Sequence, residues 1–355
     1  MKSRAGVLVT TVLYFGASYY AVAARVPTQQ RGGDAGDQAD AGRGQQVTAN
    51  DQPERPVTIT AIPNVIAANA KWKFLYASGD NADGLVSSTD GSLLFAQWQG
   101  NRIGKIDKND KVSVLLENTN NTGALAIDSH GRLLGAERSC FWVELPEEQC
   151  KVPSAIGVLA PERKVLADSV NGKSLRRIND LVVAKNGGVY FNGPAGLDYM
   201  SPTGVVTSIG SNDLRTNGII LSRDEKVLYV TNAMTIVAFD INPDGTVTNQ
   251  RVFGKLDGGG GDGMTIDAEG RLYTCTPAGL QVHSPDGNFI GLIPTPRGCV
   301  SVAFAGSDKK SLYFVGAGGN GPDGRPLRAP AGTRNNARSI YRIQMIAQGF
   351  KGRAK

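Results

Sequence analysis

The chain has 355 residues, 45 of them glycine, with a modest aromatic content and a formal net charge of +6. This length can bury a large core, and a glycine-rich, aromatic-poor chain suits many short strands joined by tight turns. The positive residues are scattered and form no basic stripe interleaved with aromatics, which argues against a nucleic-acid partner.

The first segment reads as an export signal over residues 1–24. Lys2 and Arg4 form a positive start, Ala5 to Tyr20 is mostly apolar, and Ala21-Val22-Ala23 supplies a small-x-small cleavage pattern. The expected location is therefore periplasmic or secreted, with no membrane association once the signal is cleaved. The alternative is an uncleaved anchor, because Ala5 to Ala24 approaches the ~20 residues that span a bilayer. Residues 25–56 are rich in Gln, Gly, Asp and Ala and nearly free of bulky apolar side chains, which predicts a disordered linker. The folded domain is expected over residues 57–350.

From there an internal repeat governs the chain. A short apolar strand, a polar turn and a second apolar strand recur six times. The turns read Asp90-Gly91-Ser92, His130-Gly131-Arg132, Asn186-Gly187-Gly188, Asp224-Glu225-Lys226, Glu269-Gly270-Arg271 and Asp308-Lys309-Lys310. Measured from Gly91 through Gly131, Gly187, Glu225 and Gly270 to Lys310, the spacings are 40, 56, 38, 45 and 40, with an insertion around Cys140 to Pro153. More strand-like text follows each copy, as in Arg102 to Asp107 and Gly279 to His283. A repeat near forty residues with several strands per unit predicts an all-β fold, a six-bladed propeller in a single domain. Irregular spacing and hairpin turns disfavour a solenoid.

Four cysteines, Cys140, Cys150, Cys275 and Cys299, allow three pairings, and export permits disulfides. Cys140 and Cys150 share one polar loop, so that pair is favoured, which leaves Cys275 with Cys299. None stands in a CxxC pair that would signal zinc or redox chemistry.

A polar residue recurs in phase with the turns. Asp83, Asn179, Asn217 and Asp262 each lie eight residues before the reference turn position and open an apolar strand. In a ring of blades such positions converge at one end of the central channel. Two carboxylates and two carboxamides are oxygen donors suited to a hard cation, so all four are candidate metal ligands, with calcium the first choice and another divalent cation an alternative. The bland explanation, that Asn and Asp simply begin strands because they favour turns, accounts for one such residue better than for four in one phase. The second repeat has Gly123 at this place, and the sixth has Ser301 or Val302.

At these residues the chain resembles the senescence marker protein/gluconolactonase/luciferin-regenerating-enzyme family. The resemblance runs from about Asp83 to Arg342. It is carried by Arg177-Ile178-Asn179-Asp180, by Asn217-Gly218-Ile219 with Ser222 to Val230, by Gly261 to Gly270, and by the closing Ser339-Ile340-Tyr341-Arg342. It implies a six-bladed propeller with one divalent cation, usually calcium, in the channel, and hydrolysis of a small lactone or related ester. It implies Asp83, Asn217 and Asp262 as ligands, Asn179 as a substrate-binding residue or a ligand through water, and Asp262 as general base or nucleophile. Two departures stand out: Asp83-Gly84-Leu85 replaces the family's Glu-Gly-Pro, and Asn192-Gly193-Pro194 replaces its Thr-Asp-Pro.

Other readings compete. Propellers also serve as ligand- or protein-binding modules without catalysis, and fold alone does not assign function. Another propeller enzyme, a strictosidine-synthase-like condensation catalyst or a quinone-dependent oxidoreductase, is a second rival. The only histidines, His130 and His283, fall at or near turns and are expected to be solvated, which disfavours His-dependent catalysis. The run Gly258 to Gly261 lacks the Lys-Ser/Thr of a phosphate loop and is expected to give Asp262 a flexible approach.

Overall fold

A computed structural model describes residues 53–139, 152–175, 178–192, 196–211, 213–327 and 336–353. The signal, the linker up to residue 52, Cys140, Cys150 and Gly193-Pro194 fall outside these residues; the end of the linker, residues 53–56, is described, and Arg55 there donates to the carbonyls of Pro296 at 2.9 Å and Thr295 at 2.7 Å. Six four-stranded antiparallel sheets follow one another along the chain, and no helix occurs among the described residues. Strand β1 (Lys73–Ser78) stands apart from its sequence neighbours and is considered last. The first blade is β2 (Asp83–Ser87), β3 (Leu93–Gln97), β4 (Arg102–Ile106) and β5 (Val112–Glu117). The second is β6 (Thr122–Ile127), β7 (Leu133–Glu137), β8 (Ala155–Ala160) and β9 (Lys164–Ala167). A two-stranded hairpin, β10 (Ser169–Val170) with β11 (Lys173–Ser174), leads to the third blade, β12 (Leu181–Val183), β13 (Val189–Phe191), β14 (Asp198–Met200) and β15 (Val206–Ser208). The fourth is β16 (Thr216–Leu221), β17 (Val227–Asn232), β18 (Thr235–Ile241) and β19 (Val247–Lys255). The fifth is β20 (Met264–Ile266), β21 (Leu272–Thr276), β22 (Gly279–His283) and β23 (Phe289–Pro294). The sixth takes β24 (Cys299–Ala305), β25 (Ser311–Ala317) and β26 (Arg338–Gln344) from the end of the chain. Its outer strand is β1, paired antiparallel with β26 from Lys73↔Arg342 to Ser78↔Arg338.

Burial explains why the first two strands of each repeat dominate the sequence pattern. Strands β3, β7, β12, β13, β20 and β21 are buried at every residue, because both faces of an inner strand pack against neighbouring blades. They therefore read as continuous apolar runs. Outer strands such as β5 and β19 face solvent; β19 is mostly polar, whereas β5 leaves Val114 and Leu115 exposed. The core is a set of walls between blades: Phe95 with Val315 and Ile340, Phe191 with Ala136, Phe239 with Tyr190, and Tyr273 with Phe304. Ile59, Ile62, Val65 and Ile66 join the last of these walls from the segment before β1.

The repeated turns share one geometry. Gly91, Gly131, Gly187, Glu225, Gly270 and Lys309 all have positive φ and donate their N–H to a carbonyl three residues earlier. In the sixth repeat the reference position is thus Lys309, with φ of 55°, and not Lys310. Counting back eight residues from Lys309 then selects Ser301 over Val302.

Candidate active site

The residues that open the inner strands gather at one end of the ring. Asp83 is the first residue of β2 and Asn217 the second of β16, while Asn179 and Asp262 lie just before β12 and β20. All four line one small cavity together with Gly84, Ala124, Arg138, Asp180, Gly263, Val300 and Ser301. In β2, β6, β16 and β24 the pairing register slips at this point, between Asp83 and Val86, Thr122 and Ala124, Thr216 and Ile219, and Cys299 and Ser301. Bulges of this kind re-aim a side chain, here towards the channel axis.

The glycine after three of the polar residues has a packing reason. A Cβ on Gly84 would lie 2.5 Å from Ala124 Cα, one on Gly218 2.2 Å from the Asp262 carbonyl oxygen, and one on Gly263 3.0 Å from Ser301 Cα. Each inner strand thus presses against the backbone of the next blade. Blade three has Asp180 in place of glycine and makes the same junction with a carboxylate, which accepts from Leu181 N at 2.9 Å and from Ile219 N of blade four at 3.2 Å. Asn192 supports this corner: its Oδ1 accepts from Asp180 N at 3.2 Å and its carbonyl from Asn179 N at 3.3 Å. In the glycine run before Asp262, Gly258 and Gly260 are exposed and Gly261 is packed. Gly261 donates to the Ala233 carbonyl at 2.8 Å, and a Cβ there would lie 2.5 Å from Leu256 Cδ1.

Three of the four candidate side chains, Asp83, Asn179 and Asn217, are connected through hydrogen bonds and Arg138. Asn179 Nδ2 donates to Asn217 Oδ1 at 2.6 Å, and Asn179 Oδ1 accepts from Arg138 Nη2 at 2.7 Å. Arg138 Nη1 stands 3.7 Å from Asp83 Oδ2. Burial pushes the carboxyl of Asp83 up, against the opposing pull of Arg138. Burial, with the nearby charge of Asp83, pushes Asp262 up to about 8, opposed by Arg338. Two carboxylates with this much unrelieved charge are what a bound cation would compensate.

The cavity measures about 20 Å³. That is room for one water-sized occupant. Among the described residues no three His, Cys, Asp or Glu side chains gather as a metal cage. The candidate donors instead combine two carboxylates with two carboxamides, and hard divalent cations accept such mixed oxygen sets. The residues present therefore fit a calcium-type ion.

Neither histidine reaches this cavity. His130 is exposed, as its turn position predicts, with its side chain 77% accessible. His283 departs from that expectation: it ends β22 at 1% exposure, within hydrogen-bonding distance of the Lys255 carbonyl at 3.1 Å, and burial lowers its pKa. Cys275 and Cys299 form a disulfide between β21 and β24, behind Asp262. Sequence reasoning missed Arg138 altogether and saw Asp180 only as part of a motif. The signal for Arg138 was indirect, an in-phase position left as Gly123.

A larger cavity of about 350 Å³ lies at the opposite end, among the repeated turns and the C-terminal Lys351-Gly352-Arg353. Arg353 seals part of it by donating to the carbonyls of Leu221 at 2.8 Å and Ser222 at 3.1 Å, and to Glu225 at 3.0 Å. It contains none of the phased residues.

The profile of the SMP-30/gluconolactonase/LRE-like region matches residues 81–318. The chain belongs to this family. It is 26% identical to a gluconolactonase of Zymomonas mobilis over 292 residues, covering 72% of this chain and 79% of that one. It is 30% identical to a pentonolactonase of Haloferax volcanii over 187 residues, covering 49% of this chain and 64% of that one. Among solved structures it is similar to a gluconolactonase of Xanthomonas campestris, with a TM-score of 0.65 at 22% identity over 86% of this chain and 99% of that one. It is also similar to a calcium-binding regucalcin of Agrobacterium tumefaciens, with a TM-score of 0.60 at 17% identity over 79% of this chain and 95% of that one. These two likenesses bear on the fold.

Proposed function

We propose that this family member hydrolyses a small lactone, a sugar lactone or related ester, with the help of a divalent cation, calcium being the first choice. The observation that carries the reading is the convergence of Asp83, Asn179, Asn217 and Asp262 on one cavity. Relatives named as gluconolactonase and pentonolactonase support the substrate class. Asp83, Asn217 and Asp262, with Asn179 directly or through water, would hold the cation. When bound, such an ion supplies positive charge for the lactone carbonyl oxygen.

The chain's own residues carry the proton chemistry. Asp262 is half-buried at the cavity, where its carboxylate is placed to serve as general base. It takes a proton from water as the water oxygen bonds to the carbonyl carbon. As the ring C–O bond breaks, the same proton passes to the departing alkoxide, and the product is a hydroxy acid. Asn179 holds a substrate hydroxyl or carbonyl, and its bonds to Asn217 and Arg138 fix its amide orientation.

We also propose export to the periplasm or medium. The signal-like residues 1–24 support it, and the Cys275–Cys299 disulfide suits an oxidising compartment. The test of the catalytic reading is a panel of aldonolactones assayed with wild type and Asp262→Asn, in calcium and in chelator. The expected result is turnover by wild type in calcium and loss of at least about a hundredfold in the variant. Undiminished turnover by a cation-loaded Asp262→Asn protein sinks the assigned role. No turnover and no cation binding by a folded wild type leaves the binding-module alternative.

A further inference from the structure

Five of the six inner strands bring a polar side chain to the channel cavity: Asp83, Asn179, Asn217, Asp262 and Ser301. The second strand brings Gly123. The space beside it is filled from the neighbouring strand, because Arg138 follows the end of β7 and its guanidinium lies where a side chain at position 123 would begin. A Cβ on Gly123 would stand 2.0 Å from Arg138 Cζ. The arginine side chain is only 4% exposed.

Its contacts tie it to the donor set. Nε donates to the Ile178 carbonyl at 3.1 Å, and Nη2 donates to both the carbonyl and Oδ1 of Asn179, at 2.8 and 2.7 Å. Nη1 faces Asp83 at 3.7 Å. Arginine keeps its charge even when buried. The blade that offers no oxygen thus supplies a permanent positive charge, held against two of the oxygen-bearing residues.

We propose that Arg138 is a resident counter-cation that shares Asp83 and Asn179 with the bound divalent ion and so keeps the affinity for that ion low. The inference rests on the cation-site reading given above. A charge of the same sign beside the ion opposes its binding, and the Asn179 oxygen must be shared with Nη2. In the metal-free protein the same guanidinium offsets part of the carboxylate repulsion, so the ring does not depend on the ion for its fold. The guanidinium contacts Asn179 and Asp83 among the donors, and we place it as a positioning residue for the site.

The test uses the full chain purified metal-free, with calcium affinity measured by calorimetry and melting temperature measured in chelator. Arg138→Met removes the charge. Gly123→Ala keeps it but displaces the guanidinium, the flexible partner in the clash. Both variants are expected to bind calcium at least about tenfold more tightly than wild type. Arg138→Met should also melt lower than wild type in chelator and regain the difference when calcium is added. Should Arg138→Met fail to fold, Gly123→Ala decides. Unchanged or weaker affinity in the variants, with wild type binding calcium, overturns the inference alone. No calcium binding by any of the three overturns it together with the cation-site reading.

Discussion

Replacing Cys275 and Cys299 together by alanine perturbs stability at a point close to the candidate base. The disulfide closes a segment with a sequence separation of 24. Chain entropy alone then puts its worth at about 3.4 kcal/mol, from a loop-closure cost of roughly 12 cal/mol/K. Both residues are buried, at 0% and 5% exposure, so removing sulfur adds a packing loss in the same direction. A ring of roughly 300 folded residues unfolds with an entropy of roughly 0.6 kcal/mol/K, so the melting temperature should fall by about 5 °C. The location adds a second expectation. Asp262 N donates to the Cys275 carbonyl, Cys275 N to the Gly263 carbonyl, and Gly263 N to the Val300 carbonyl, each at 2.9 Å. The bridge therefore clamps blades five and six on either side of Asp262-Gly263, and hydrolytic turnover should fall before the ring melts. The assay is a thermal melt of wild type and double variant in chelator, with a second ramp in calcium along which lactone turnover and structure are followed together. A shift below about 1 °C would refute the entropic account, and parallel loss of turnover and structure would refute the clamp.

Two further outcomes are expected. The pKa of Asp262 is raised in the folded protein, so its contribution to stability is fully present below the unfolded value of 3.8 and is lost as pH rises through about 8. In chelator, wild type should lose melting temperature between pH 6 and 9 and Asp262→Asn should lose less, and equal slopes would remove Asp262 as the cause. Arg353→Ala removes the bonds to Leu221, Ser222 and Glu225 at the far end and should cost about 2 kcal/mol in denaturant unfolding with turnover unchanged at 25 °C, whereas reduced turnover would show that the far end bears on the site.

The propeller was legible because an inner strand is buried on both faces and its turn requires a positive φ at one fixed position. The phased Asp and Asn residues were legible for a related reason, since the strand opening that carries them lies at a constant distance from that turn. In the sixth repeat two adjacent lysines blurred the count, and only the backbone conformation of Lys309 resolves it. What sequence could not supply was anything that crosses between strands. Arg138 fills a gap left by Gly123, fifteen positions away in the chain, and Asp180 reaches an N–H of the following blade. His283 sits next to Ser284-Pro285-Asp286 and so read as a turn residue. Its side chain instead packs edge-on against Phe289 beneath Gly254. The disulfide was reached in the sequence only by elimination: chain proximity paired Cys140 with Cys150, which lie outside the described residues, and left Cys275 with Cys299. The bond described joins Cys275 and Cys299, which adjacent blades bring together.

The pairing of β1 with β26 sets a timetable for biogenesis. Lys73–Ser78 leaves the ribosome long before Arg338–Gln344, its strand partner among the described residues. Blades one to five can assemble in order as they emerge, but the seam stays open until β26 has been synthesised, and the nascent protein must keep that first strand from pairing elsewhere in the meantime.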